Sequence, residues 1–110
     1  MVRSIVNLVL GAYFWIPVLC LAQSLPANTI LIKGHQFIPP QLTVAAGQKL
    51  QITIENEDPS AEEFESFDLD REQVVEGNKR ITVYIGPLKP GTYNYWADFH
   101  KSSKGVIVAQ

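Results

Sequence analysis

Two short segments of this chain alternate apolar and polar residues at period two, and this pattern constrains the fold more than any other feature. Leu50, Ile52 and Ile54 alternate with polar neighbours over residues 49–55, and the pattern returns over residues 79–85. Such alternation is typical of a β-strand with one face in a core and the other in water. We therefore predict that both segments are half-buried strands.

Further strand signals complete an all-β prediction. The stretch 28–33 is short and β-branched, and Pro39-Pro40 interrupts the chain before a second short strand over residues 41–45. Weaker alternation returns over residues 105–109. Because turn signals recur about every 8–12 positions, at least five strands should form one small antiparallel Greek-key β-sandwich. We expect the first strand to lie at an edge.

Residues 1–22 have the composition of an export signal. Arg3 precedes an almost uncharged apolar stretch that ends in Cys20-Leu21-Ala22, which fits cleavage before Gln23. We therefore predict a signal peptide over 1–22, one domain over 23–110 and a periplasmic or otherwise exported protein. The alternatives are an uncleaved membrane anchor, since the stretch approaches a bilayer-spanning length, and a lipid anchor on Cys20.

Charge and cysteine usage exclude some classes of function. Of the 9 Lys and Arg residues, Arg3 lies in the signal segment, so residues 23–110 carry 8 basic and 11 acidic groups. Nucleic acid is therefore an unfavourable partner. The one cysteine, Cys20, also lies in the signal segment, so the predicted domain contains neither a thiol nor a disulfide.

The acidic stretch 58–77 has no clear period of either kind. Ser60 and Glu63 have the spacing of a helix capping box, and Phe64 and Phe67 could form a helical pair. A short helix is one alternative, but an irregular extended loop is our prediction. Further on, the segment 88–93 (LKPGTY) resembles the tyrosine corner of Greek-key sandwiches, in which a tyrosine hydroxyl bonds backbone nearby.

Several motifs together resemble a cupredoxin. These are Asn56-Glu-Asp58 after a strand, the segment 86–95 (GPLKPGTYNY), His100, and the segment 105–108 (GVIV). Together with the segment 62–66 (EEFES), they are similar to the cupredoxin-like domains of the EfeO type, which are associated with bacterial iron-permease systems. The resemblance covers nearly all of residues 23–110.

The resemblance implies a metal site, but not the blue-copper type. In blue-copper cupredoxins, copper is held by two His, a Cys and a weak axial Met. Position by position, Glu62 stands where the first His would be, Ala97 stands where the Cys would be, and His100 matches the second His. The single methionine is Met1, so we expect no thiolate or thioether ligand.

The remaining candidate ligands are oxygen and imidazole donors. We predict a site built from His100 and Glu62 first, with Glu65, Asp98 and His35 as further candidates. Such donors suit Cu(II), Fe(III) or Zn(II) better than Cu(I). Strand alternation would place Asp98 on the same face as His100, either as a ligand or as its hydrogen-bond partner. The alternatives are a solvated acidic loop for the glutamates and a backbone hydrogen bond for His35.

Three functions follow from these features. The first is a non-catalytic periplasmic protein that binds a copper or iron ion, Cu(II) or ferric iron, in iron or copper handling. The second is a metal-free module that docks on a membrane iron-transport component or another partner protein. The third is an electron carrier. We expect no enzyme, because no nucleophile elbow or metalloprotease motif is present.

Overall fold

The computed structural model describes Gly11 and residues 25–110, and the described part is a two-sheet β-sandwich without helices. The predicted signal segment lies almost entirely outside the described residues. Within them, no helix is long and apolar enough to cross a membrane. The strands are β1 (Thr29–Lys33), β2 (Gln36–Ile38), β3 (Gln41–Val44), β4 (Leu50–Asn56), β5 (Glu62–Ser66), β6 (Arg71–Val75), β7 (Arg80–Ile85), β8 (Gly91–Ala97) and β9 (Lys104–Ala109).

The strands form a four-stranded sheet in the order β2-β1-β4-β7 and a five-stranded sheet in the order β3-β9-β8-β5-β6. The all-β sandwich prediction is therefore confirmed. The sheets are mixed rather than purely antiparallel, because β1 pairs in parallel with β4 and β3 pairs in parallel with β9. Between the sheets lies one apolar core, which includes Ile30, Ile54, Phe64, Tyr95 and Ile107.

The two alternating segments form neighbouring strands, as predicted. Strands β4 and β7 pair in antiparallel, with Leu50 opposite Ile85 and Ile52 opposite Val83. All four of these side chains are buried. One face of each strand thus contributes to the core, while the intervening polar residues of the two strands face away from it.

The first strand is not at an edge, so that prediction is wrong. Strand β1 lies between β2 and β4, and the three-residue β2 is the edge strand on that side of the sheet. Pro39 and Pro40 follow β2 rather than β1. The proline pair therefore ends the short outer strand, and the β-branched β1 can pair on both sides.

The acidic stretch 58–77 contains a β-hairpin rather than an irregular loop or a helix. Strand β5 pairs with β6 on one side and with β8 on the other. The alternation was hidden in the sequence because two of the inward-facing residues are polar: Glu62 and Ser66 are each 1% exposed, as is Phe64 between them in the same row. A pattern of alternating apolar residues cannot reveal a strand face that contains a buried glutamate and a buried serine.

The tyrosine corner is confirmed at Tyr93. Its hydroxyl donates a hydrogen bond of 2.7 Å to the backbone carbonyl of Lys89. This bond ties the loop before β8 to the start of that strand. Strand β8 then runs through the middle of the five-stranded sheet and ends close to the candidate site.

Candidate metal centre

His35 lies in the tight turn between β1 and β2. Gly34 and His35 have φ angles of 58° and 59°, and Lys33 pairs with Gln36 on either side of them. Positive φ at both central residues is what a two-residue type I′ hairpin turn requires. A histidine tolerates this conformation less well than glycine, so the turn needs support from outside.

Asp58 supplies that support from the loop after β4. Its Oδ1 accepts a hydrogen bond from the Gly34 amide at 2.8 Å, and its Oδ2 accepts one from the His35 amide at 2.9 Å. These two bonds, the His35 one above all, lower the pKa of Asp58 below its ordinary value, although partial burial opposes them. Asp58 thus stays ionised and fixes the backbone that carries the His35 ring.

Asn56, the last residue of β4, organises the same loop and is 1% exposed. Its amide nitrogen donates to the carbonyls of Ser60 at 2.8 Å and Val75 at 3.1 Å. Its amide oxygen accepts from the Asp58 backbone N–H at 3.0 Å. Asn56 therefore links the loop that leads into β5 to the end of β6, and it holds Asp58 in position.

Glu62 opens β5 and points into the sandwich. Its Oε1 accepts hydrogen bonds of 3.0 Å from the backbone N–H groups of Glu63 and Phe99. Its Oε2 lies 2.5 Å from Nδ1 of His100. A carboxylate that is only 1% exposed and aimed by two amide donors is a built site rather than a solvated acidic loop.

His100 is carried by the turn between β8 and β9. Its backbone N–H donates to the Ala97 carbonyl at 3.1 Å, and its carbonyl accepts from Ser103 N–H at 2.9 Å. Because β8 ends at Ala97, strand alternation does not extend to this turn. The prediction that Asp98 and His100 share a face is therefore wrong. The His100 ring contacts the Glu62 carboxylate, whereas the Asp98 carboxylate accepts a hydrogen bond from the Trp96 indole.

The three donors converge from three separate segments of the chain. His35, Glu62 and His100 each place a ligand atom within 4.8 Å of the other two. The two imidazoles stack with centroids 3.6 Å apart and an interplanar angle of 18°. Their side chains are 44% and 37% exposed, whereas Glu62 is buried. An ion could thus reach the group from solvent, with Glu62 at its base.

This donor set decides which kind of metal fits. Two imidazoles and one carboxylate suit Cu(II), Zn(II) or Fe(III), and they lack the thiolate that defines a blue-copper site. Ala97, which the sequence comparison placed at the thiolate position, is fully buried at the end of β8. Its methyl group offers no ligand atom, so His35, Glu62 and His100 would hold a metal of the oxygen and nitrogen type.

The structure places the other two predicted ligands, Glu65 and Asp98, away from this group. Glu62 and Glu63 are successive residues of β5, so their side chains point to opposite faces of the sheet. Glu65 lies on the same face as Glu63, and those two residues cluster with Glu72 of β6, with ligand atoms within 4.8 Å of one another. Asp98 lies beside these residues, because its backbone N–H donates to the Glu63 carbonyl at 2.8 Å. Glu63, Glu65 and Glu72, with Asp98 at their border, form the outer acidic cluster.

The carboxylates of the outer acidic cluster influence one another strongly. A hydrogen bond with the Glu72 carboxyl, together with burial, raises the pKa of Glu63 to about 7. Burial and a hydrogen bond with Asp98 raise the pKa of Glu65. Asp98 thus interacts with Glu65, and its Oδ1 also accepts a bond of 3.3 Å from the Trp96 indole N–H.

The family-model comparison identifies the class of protein. A model described as "Cupredoxin-like domain" matches residues 6–109, so the chain belongs to the family of cupredoxin-like domains. An uncharacterized protein, RP394, of Rickettsia prowazekii (strain Madrid E) is 41% identical over 80 residues. That match covers 72% of this chain and 64% of the relative, so the chain spans under two thirds of the relative's length.

Solved structures show the same fold. A novel purple cupredoxin from Nitrosopumilus maritimus superposes with a TM-score of 0.62 at 18% identity, over 77% of this chain and 100% of that protein. Amicyanin from Paracoccus versutus superposes with a TM-score of 0.63 at 15% identity, over 79% of this chain and 84% of amicyanin. At these identities the likeness concerns the fold.

Sequence reasoning missed two residues that build the site and one that completes the outer cluster. Asn56 and Asp58 were noticed as a motif, but their roles as backbone anchors depend on which loops meet in space. Glu72 had no signal, because its position opposite Glu65 follows from the hairpin register. Recognition of the β5–β6 hairpin would have found it.

Proposed function

We propose that this protein is a non-catalytic metal-binding cupredoxin-like protein of an exported compartment, with Cu(II) or ferric iron held by His35, Glu62 and His100. The observation that carries the proposal is the convergence of these three donors from two turns and a buried strand position. Two backbone N–H groups hold the buried Glu62 carboxylate, and its Oε2 faces His100 Nδ1. A cation would thus meet a carboxylate that is already fixed in position beside two half-exposed imidazoles.

A role in iron or copper handling, of the EfeO type, is the finer part of the proposal. It rests on the motif resemblance and on a donor set that suits oxidised, oxygen-preferring metals. The site opens to solvent through the two imidazole rings, which favours uptake and release over permanent burial of the ion. A membrane iron-transport component is the partner that such a carrier would serve.

The test is a calorimetric titration of the domain over residues 23–110, free of affinity-tag histidines, with Cu(II), Zn(II) and citrate-bound Fe(III). Glu62→Gln and His100→Ala each remove one donor, and Glu55→Gln is the matched control because it removes the same charge from β4 of the other sheet. We expect one-to-one binding of Cu(II) that both site variants weaken by at least about 10-fold and the control leaves unchanged. Equal binding by all four proteins would contradict the proposal.

A docking function is favoured by one further observation. Phe67, in the β5–β6 turn, is 78% exposed and packs edge-to-face on Trp96, with ring centroids 4.7 Å apart. Aromatic residues are enriched in protein interfaces relative to the rest of the surface. If no metal binds, loss of partner binding in Phe67→Ser, with His100→Ala unaffected, would establish the docking function instead.

A further inference from the structure

The outer acidic cluster has the properties of a second site, separate from the histidine site. Glu63 and Glu65 project from β5, and Glu72 lies directly opposite Glu65 on β6. The three carboxylates place ligand atoms within 4.8 Å of one another. Asp98, in the turn after β8, borders the cluster, because its backbone N–H donates to the Glu63 carbonyl at 2.8 Å.

The most informative member is Glu63. It is only 8% exposed, and when the cluster is ionised its Oε1 is buried without a hydrogen-bond donor among the described residues. A buried carboxylate oxygen without a donor is destabilising, because it loses its hydrogen bonds to water and no protein donor replaces them. Since this oxygen belongs to a group of converging carboxylates, the missing partner is a positive charge or a proton that the cluster shares.

The surrounding cations do not supply this charge. In the described part of the chain, the only ion pair of these four carboxylates joins Asp98 to Lys101 Nζ, at 3.9 Å and on the exposed surface. Arg71, next to Glu72 in sequence, is directed elsewhere: its guanidinium donates to the carbonyls of Tyr84 at 2.9 Å and Asp70 at 2.7 Å. The cluster therefore retains excess negative charge.

We propose that Glu63, Glu65 and Glu72, with Asp98 at the rim, bind a hard cation of the calcium class. Oxygen-only, multiply charged donor sets prefer hard cations, unlike the mixed imidazole and carboxylate set around His100. Glu65 and Glu72 face a surface depression that they help to line, so an ion can enter from solvent. The proposal goes beyond the proposed function and does not depend on it.

Terbium luminescence tests this second site, because Tb³⁺ is a hard probe for calcium-class sites and is excited through a nearby indole. Trp96 is that indole: it lies opposite Glu65 in the β5–β8 register and donates to Asp98. We expect sensitised Tb³⁺ emission from the purified protein that Ca²⁺ displaces. With excitation selective for tryptophan, Trp96→Phe should abolish the emission while Tb³⁺ still raises Tm, which excludes Trp15 as the sensitiser.

The variants separate the two sites. Glu65→Gln and Glu72→Gln should each weaken Tb³⁺ binding by at least about tenfold, and thermal unfolding verifies that each variant is folded. His100→Ala should leave the emission unchanged, which makes failure of this proposal distinguishable from failure of the histidine site. Glu55→Gln, on β4 of the other sheet, controls for the loss of one charge. Absent emission, or equal weakening by Glu55→Gln and Glu72→Gln, would overturn the proposal.

Discussion

Replacement of Asn56 by alanine should weaken both the fold and the metal site, and the loss of stability can be worked from the three shortest of the four hydrogen bonds that its side chain makes. The bond to Val75 O is buried, whereas those to Ser60 O and from Asp58 N–H are partly buried. A buried group left unpaired costs about 1–3 kcal/mol, and water partly replaces a bond that it can reach. With about 2 kcal/mol for the first bond and about 0.5 kcal/mol for each of the others, the expected loss is about 3 kcal/mol.

Urea and thermal unfolding measure this loss. For a domain of this size, about 3 kcal/mol corresponds to a fall in Tm of roughly 12–24 °C. Asn94→Ala is the control, because the Asn94 side chain is exposed and makes one long bond of 3.3 Å to Asp68. That change should cost less than about 0.5 kcal/mol.

The same variant should also lower the affinity for Cu(II) at a temperature where it remains folded. Asn56 holds Asp58, and Asp58 holds the His35 turn, so loss of the first bond loosens a ligand. Loss of such outer partners typically weakens metal binding by about 10–100-fold. If Asn56→Ala costs less than about 1 kcal/mol and binds Cu(II) as the parent does, the anchoring role is refuted.

Three further changes test the packing around β8. Tyr95→Phe removes a buried hydroxyl without a partner and should raise stability by about 1 kcal/mol in urea unfolding; a loss of that size would show that the hydroxyl is paired. Burial raises the pKa of the Tyr95 hydroxyl. The free energy of unfolding should therefore fall as pH rises above about 10, because the side chain ionises in the unfolded protein and stays neutral in the folded one. Tyr95→Phe should reduce this alkaline loss of stability, whereas the exposed control Tyr84→Phe should not. Gly105→Ala would place a Cβ 2.3 Å from the Tyr95 ring and should cost about 1–3 kcal/mol, and an unchanged Tm would contradict this contact. Tyr93→Phe removes the corner bond and should cost about 1 kcal/mol, whereas a neutral result would show that the corner adds no stability.

The fold could be predicted well because its main determinants are local. The alternation around Ile52 and Val83 fixes two paired strands, and the Lys89–Tyr93 corner marks the entry to β8. The order of the strands was harder to predict. The tight turn at Gly34 and His35 adds the short strand β2 outside β1, and strand propensity alone does not indicate which of the two lies at the edge. The β5–β6 hairpin was missed because Glu62 points into the core, and a glutamate at that position breaks the alternation of apolar and polar residues that predicts a strand.

The candidate site could be predicted only in part, because its residues come from separate segments of the chain. His35, Glu62 and His100 meet because three segments converge, and the motif resemblance was the only guide to that convergence. Glu65 and Asp98 were expected beside His100, yet β5 alternation and the turn after Ala97 place them in the outer acidic cluster. Nothing in the spacing of Glu72 indicated that it completes that cluster.

The central claim is that both imidazoles of this chain bind one metal, and pulsed electron paramagnetic resonance of the Cu(II) protein tests it most directly. The sequence contains 2 histidines, so every imidazole coupled to copper comes from His35 or His100. We predict two coupled imidazoles in the parent protein, one in His35→Ala, and no intense visible band from a thiolate. A parent spectrum with fewer than two imidazoles, or one that His100→Ala leaves unchanged, would contradict the account.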